Sequence, residues 1–247
     1  MGGKMGGMRR LLTLLLILAL SGCASAQVVP AATPPPQPTI STVAERLVSP
    51  PQGRVEVIGY LYRTAQGASL VGGLSFSQGD IPTPLSEAGA IWLPSPPALP
   101  ANTAISSVGT ITYVIVCATG QLSSTGSYGP GGGYAYQLTD VSLDVLSVRD
   151  LNMKLLLDNS GIYDNQPVHL SGQILLGTST ALLVDQLGGG GVPTSSAQQI
   201  KLIGVIEGNP LRTRLTASSG GTAHFGPVQI IGIWRRSNLY PLAIIPG

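Results

Sequence analysis

The sequence predicts an all-β protein, with one five-stranded module occurring twice in tandem. Three observations carry this. The chain has 33 glycines and 20 prolines in 247 residues, so turns are dense and long helices scarce. Apolar and polar residues alternate over short runs bounded by Gly, Ser and Pro clusters, which is the mark of half-buried strands. The pattern V-x-[VLI]-x-[GA] returns four times along the chain. Hydrophobic residues at 43% are too many for a disordered chain. Charged residues are only 10%, against roughly 25% in an ordinary domain, so little of the surface is charged.

The N-terminus reads as an address. Lys4, Arg9 and Arg10 precede the apolar run Leu11 to Leu20, which is too short to span a bilayer and has the length of a signal-peptide core. Leu20-Ser21-Gly22-Cys23 follows and resembles the lipobox of bacterial lipoproteins. That resemblance implies a signal peptide over residues 1–22, a lipid on Cys23 and attachment to the membrane of the cell envelope. With Ala24 next, it implies the outer membrane if the cell has two. Ala24-Ser25-Ala26 also fits the rule for ordinary secretion, with cleavage before Gln27. Without Lys4, Arg9 and Arg10, ten basic residues face 11 acidic ones, a net charge of −1. That argues against nucleic acid as a partner, because such binding needs a basic surface.

Residues 23–51 hold the lipidated cysteine, a tether and a short helix. Gln27 to Thr39 is proline-rich and uncharged, a semi-rigid spacer of about 40 Å at ~3.1 Å per residue. Ile40 to Val48 reads as a helix capped by Ser41, with Glu45 near the capping-box position and Pro50-Pro51 as the stop.

The repeat divides the rest of the chain into residues 52–150 and 151–247. The four pentapeptides begin at Val55, Val114, Val168 and Val228; first to third is 113 residues and second to fourth is 114. Leu70-Val71 and Leu183-Val184 keep the offset of 113. Each copy also follows a short helical lead-in, Val43 to Val48 and Leu151 to Leu157. Strands are expected over 55–63, 69–75, 90–93, 110–119 and 134–148, with a bulge near Thr139-Asp140 where the apolar phase changes. The second copy gives 168–176, 181–185, 198–203, 228–235 and 240–245. Five short strands with V-x-V-x-G on the first and fourth resemble the OB-fold, a small Greek-key barrel. Pro94 to Ser107 holds four prolines and departs from that family, which usually has a helix between strands three and four. Around Pro210 the second copy has room for one turn. The alternative is two Ig-like β-sandwiches, which need about seven strands each.

Chemistry is sparse. His169 sits at an outward strand position and His224 in a Gly-rich approach, neither with metal-ligand spacing to a neighbour. Cys117 lies in an apolar strand and reads as an inert thiol. Gly129 to Gly133 lacks the lysine of a phosphate loop and reads as a hairpin turn. The acids Asp140, Asp144, Asp150, Asp158 and Asp164 read as solvated faces and caps. No catalytic residue, metal site or cofactor is expected.

The OB resemblance implies a ligand site on strands two and three, between the loops joining strands one to two and four to five. By position this takes in residues 64–67, Trp92 and the loop 122–133 with Tyr128. Tyr60 and Tyr62 share the outward face of the first strand and with Trp92 offer an aromatic platform for a sugar, a peptide or an unstacked base. The same rings are alternatively core, packed on the lead-in helix or the second copy. The second copy has His169, Ser171 and Gln173 on its strand, and Lys201 where Trp92 stands. Outward isoleucines at 58, 231 and 233 suggest a surface covered by partners. The expected function is a non-catalytic, lipid-anchored envelope module that binds or assembles with a protein, peptide or glycan. A cell-surface β-rich hydrolase and a single-stranded nucleic-acid binder are the alternatives.

Overall fold

Strands form where apolar alternation placed them, and half of the chain is extended. The structure, a computed structural model, describes residues 40–76, 81–204 and 210–247. The signal peptide of residues 1–22, the lipid site Cys23 and the tether of residues 27–39 lie outside the described residues. The protein is all-β, with 51% strand against 12% helix, and contains a closed five-stranded barrel plus further sheet. Thr39–Gly247 forms one compact unit.

The N-terminal half runs β1 (Ser41–Thr42), α1 (Val43–Val48), β2 (Gly53–Thr64), β3 (Gly67–Val71), β4 (Leu74–Phe76), β5 (Pro82–Pro84), β6 (Ala90–Leu93), β7 (Ser106–Val108), β8 (Ile111–Leu122) and β9 (Leu138–Val145). The C-terminal half runs β10 (Arg149–Asp150), α2 (Met153–Asp158), β11 (Gln166–Leu176), β12 (Ala181–Val184), β13 (Gln199–Leu202), β14 (Thr216–Ala217), β15 (His224–Arg235) and β16 (Asn238–Pro246). In the second half β11, β12, β13, β16 and β15 pair in that order, and β15 returns to β11, closing the barrel. Only the β13–β16 contact of this ring is parallel, as closing an odd number of strands requires. The first half uses β3, β2, β8 and β9 with β6 beside β3, and β6 meets β9 at one parallel bridge, Trp92 to Gln137. The C-terminal sheet closes on itself as a barrel, whereas the N-terminal sheet curls until its edges meet only at that bridge, where the Trp92 amide donates to the Tyr136 carbonyl at 2.9 Å. The proline-rich residues 94–105 form no helix, and Pro210–Arg214 makes a single 3-10 turn.

Hydrogen-bond register repeats between the halves and corrects one alignment. Leu61 opposes Leu70 in β2–β3, and Ile174 opposes Leu183 in β11–β12, so the 113-residue offset holds through this hairpin. In β2–β8, however, Gly59 opposes Val116, whereas its counterpart Gly172 opposes Val228. Val116 therefore corresponds to Val228, not to Ile230, and the offset on this strand is 112 rather than 114. The error is two residues, one full strand period, which leaves every side chain on its proper face and is invisible to alternation. The bulges fix the true register: β8 shifts beside Gly120 and β15 beside Gly232. On β9 the extra residues fall at Asp140, which has φ 50°, in keeping with the expected bulge.

Each half has its own apolar core. Val55, Val57, Leu61, Leu70, Ile91 and Val116 fill the first, and Leu170, Ile174, Leu183, Ile230 and Trp234 the second. A third cluster joins them. Ile58, Tyr60, Val71, Leu74, Ile115 and Cys117 of the first half meet Ile233, Leu242 and Ala243 of the second. Ile58 and Ile233, read as surface awaiting a partner, are buried in this seam, and Ile231 packs at its edge. What covers them is the other half of the same chain. The expected strand 69–75 breaks at Gly72-Gly73, and Leu74–Phe76 crosses to pair in parallel with β16. The pair α1–β1 contributes a polar clamp. Thr42, not Ser41, caps α1: its Oγ1 accepts from the Glu45 amide at 3.2 Å, while Glu45 Oε2 accepts from the Thr42 amide at 2.8 Å. Both candidates carry a hydroxyl, so sequence alone could not separate them. The same Glu45 carboxylate receives Arg235 Nη1 at 3.0 and 3.1 Å. The Arg235 Nε donates to Asn165 Oδ1 at 3.0 Å and its Nη2 to the Ile40 carbonyl, over the ring of Tyr240. In the second half Asn152 caps α2 through the Leu155 amide at 2.8 Å.

Arg235 is buried, so truncating it strands the Glu45 carboxylate and two carbonyl-type acceptors. Arg235→Ala is expected to cost about 3 kcal/mol, the lower end of the range for breaking a buried pair because Glu45 is one-third exposed, as read by urea denaturation. The seam also sets an alkaline limit. Burial first, then the Glu56 hydrogen bond and the Glu56 and Asp144 charges, push the Cys117 thiol up to about 12. Burial, then Tyr113, holds the Tyr60 phenol well above its ordinary value. Raised folded-state values favour the neutral groups, so this stability is whole below the unfolded thiol value of 9.0 and declines as pH climbs toward 12. Urea midpoints are expected to fall above pH 9, and less steeply in Cys117→Ala; equal slopes would contradict the assignment.

Candidate functional site

A row of side chains crosses three strands at the mouth of the first barrel. Tyr62 on β2 opposes Ser69 on β3, and Ser69 opposes Trp92 on β6. These share one face because directly opposed residues in a ladder point the same way. Ser69 is small and buried, leaving a trough between two large rings. The loop between β8 and β9 folds over it: Tyr128 and Tyr134 exchange backbone hydrogen bonds at 2.9 and 3.1 Å, closing the hairpin around Pro130–Gly132. That places the Tyr134 ring against Trp92, centroids 5.3 Å apart and tilted by 42°. The result is a cleft of about 200 Å³, lined by Tyr62, Thr64, Gln66, Trp92, Pro130 and Tyr134 among others.

Glycine shapes this cleft at two points. A Cβ on Gly67, at φ +132°, would stand 2.2 Å from Trp92 Cη2. On Gly129, at φ +70°, it would stand 2.8 Å from Tyr134 and 2.9 Å from Trp92. The indole lies between two bare backbone segments, both of left-handed φ that favours glycine. Neither its N–H nor the Tyr134 hydroxyl has a hydrogen-bond partner among the described residues. The Tyr62 hydroxyl donates to the Pro82 carbonyl at 3.2 Å. Burial, then the neighbouring Tyr134, raises its phenol above the ordinary value. Among the described residues no charged side chain lines the cleft, and those that do offer aromatic faces, hydroxyls and one amide.

Of the four aromatics expected at the ligand site, two are here. Tyr62 and Trp92 line the cleft, together with residues of the loop 64–67. Tyr60 does not. It is 3% exposed in the seam, edge-on to Tyr113 at 6.1 Å, because the C-terminal half packs on the middle of the outward face of β2 at Ile58 and Tyr60. Tyr128 braces the loop instead, its hydroxyl donating to the Ser124 carbonyl at 3.0 Å. Tyr134 was missed; the signal was the Tyr-Gly-Pro-Gly-Gly-Gly-Tyr hairpin, which returns a second tyrosine to the position of the first. At the equivalent place the second barrel has Leu175, Leu182 and Lys201, so register does put Lys201 where Trp92 stands. It has no aromatic row.

The titratable groups lie elsewhere. His169 Nδ1 contacts Asp150 Oδ1, since β10 runs alongside β11 and sets these residues side by side. This pair is the converging His–Asp that a hydrolase would need, but Asp150 is exposed and the imidazole hydrogen-bonds no nucleophile among the described residues. Cys117 donates to Glu56 Oε1 at 3.4 Å, and its raised value keeps it a thiol. Asp158 pairs with Lys154, and Asp164 accepts from the Arg236 amide at 2.9 Å. Among the described residues no group of three or more His, Cys, Asp and Glu could hold a metal. Comparison with family models, with curated proteins and with solved structures finds no match.

Two consequences can be measured. Gly67→Ala is expected to displace Trp92 and shift its emission to the red, while Trp234, fully buried, stays blue. An unchanged spectrum would show that the indole is not held between the two glycines. In the folded protein Cys117 is expected to resist a thiol reagent at pH 8 and to react on unfolding.

Proposed function

We propose that this protein is a non-catalytic binding module of the bacterial cell envelope. In this reading it is held to a membrane by a lipid on Cys23 and built from a duplicated OB-like barrel. The aromatic cleft on the first barrel is its ligand site. One observation carries the binding role: Tyr62, Trp92 and Tyr134 converge in an uncharged cleft between the two loops that OB-like barrels use for ligands. Stacking faces with a few hydroxyls suit a glycan or an extended peptide, and the lack of lysine or arginine in the cleft disfavours a polyanion. The second barrel lacks such a row, so its part is structural: it buries the face of β2 and braces the first.

The membrane arm of the proposal rests on the lipobox-like segment. In a bacterial host the full chain is expected in the membrane fraction, and Cys23→Ser in the soluble fraction. For the cleft, Trp92 emission is titrated with an N-acetylglucosamine tetramer and with a decaproline peptide. One of these is expected to shift the emission saturably, and Tyr134→Ala to weaken that binding about tenfold, within the range for removing one aromatic anchor. If neither probe moves the emission, or if Tyr134→Ala binds as wild type does, the cleft is not the site.

A further inference from the structure

A second concavity lies at the junction of the halves, away from the aromatic cleft. Its floor is the seam: Tyr60 and Ile115 from the first barrel, Ile231 and Ile245 from the second. Tyr113 stands edge-on between Tyr60 and Phe76, with both centroids 6.1 Å away. The connector Val145–Val148 forms one rim, and the exposed residues Asn102, Ala104 and Ser106 the other. The volume is about 670 Å³, inside the roughly 300–1,000 Å³ of small-molecule sites, which favour junctions of this kind. Among the described residues no Asp, Glu, Lys, Arg or His lines it. A ligand ion would lose its hydration there without a counter-charge. The Tyr60 side chain, 3% exposed, is part of the wall, yet its hydroxyl makes no hydrogen bond among the described residues. The hydroxyl is not among the fully buried unpartnered atoms, so it opens onto the groove, where a bound molecule can reach it. A peptide would need a partner for every amide, and beyond Tyr60 the wall supplies side-chain polar groups chiefly at its rims.

We propose that this groove binds an uncharged amphiphile with a single apolar chain, whose polar end hydrogen-bonds the Tyr60 hydroxyl. The groove shares no lining residue with the aromatic cleft.

The test uses the full chain in phosphatidylcholine vesicles containing a 1-monoacylglycerol with a diazirine on its chain. After irradiation, label is expected within residues 100–106 or 145–148 and is competed by plain monoacylglycerol. Ala104→Trp, which fills the groove from an exposed rim, is expected to cut labelling at least tenfold while melting as wild type does. Ser147→Trp does the same from the opposite rim and serves if Ala104→Trp unfolds. Tyr60→Phe is expected to lower labelling by the monoacylglycerol about fivefold, the worth of one neutral hydrogen bond, and to leave labelling by a diazirine alkane unchanged. A fatty-acid carboxylate is expected to compete at least tenfold more weakly than monoacylglycerol. Label confined to other segments, labelling unaffected by both tryptophans, or equal competition by the carboxylate would overturn the proposal.

Discussion

The apolar seam between the two halves is the constraint on which the rest of the structure depends. A five-stranded barrel buries one face of each strand inside itself and normally leaves the other to water. Here the middle of the outward faces of β2 and β8 is apolar, with Ile58, Tyr60, Ile115 and Cys117 set against Ile233, Leu242 and Ala243. Burying a side chain of this size contributes about 1.5–3 kcal/mol, so the seam supplies stabilisation on the scale of a small core.

The seam fixes what each half can do. Because the C-terminal half covers Ile58 and Tyr60 on β2, Tyr62 is the first side chain beyond them on that face to be left partly exposed, and the cleft forms there. Strand β4 leaves the first barrel after Val71 to join β16, and the Tyr62 hydroxyl bonds to Pro82 in β5, the strand paired with it. One wall of the cleft is thereby attached to the sheet of the second half. Arg235 acts alike on the opposite side, fastening β15 to the cap of α1 through Glu45. The polar contacts are few but each spans the junction, so they orient the halves while the apolar cluster holds them together.

Much of this was legible in the sequence because alternation reports strands directly. Ala90–Leu93 was read to the residue, the closed sheet followed from strand count, and Tyr62 and Trp92, grouped in the sequence, line one cleft. The failures share one physical origin. Alternation says which residues lie on one face of a strand, not what that face touches. Tyr60 and Tyr62 were therefore indistinguishable, though two residues apart one is core and the other lines the cleft. The same degeneracy hid the two-residue slip that pairs Val116 with Val228, since only the bulge glycines at 120 and 232 mark absolute position. Tyr134 escaped because a long hairpin decides where its second tyrosine returns, and loop closure leaves no periodic trace.

The claim that the halves form one cooperative body is tested most directly by native-state hydrogen exchange along a urea series. Amides of β2 and of β15 should open in a single event, with the same free energy and the same urea dependence. Should β15 remain protected at urea concentrations where β2 has already exchanged, the halves unfold separately and the seam is no more than a contact between independent barrels.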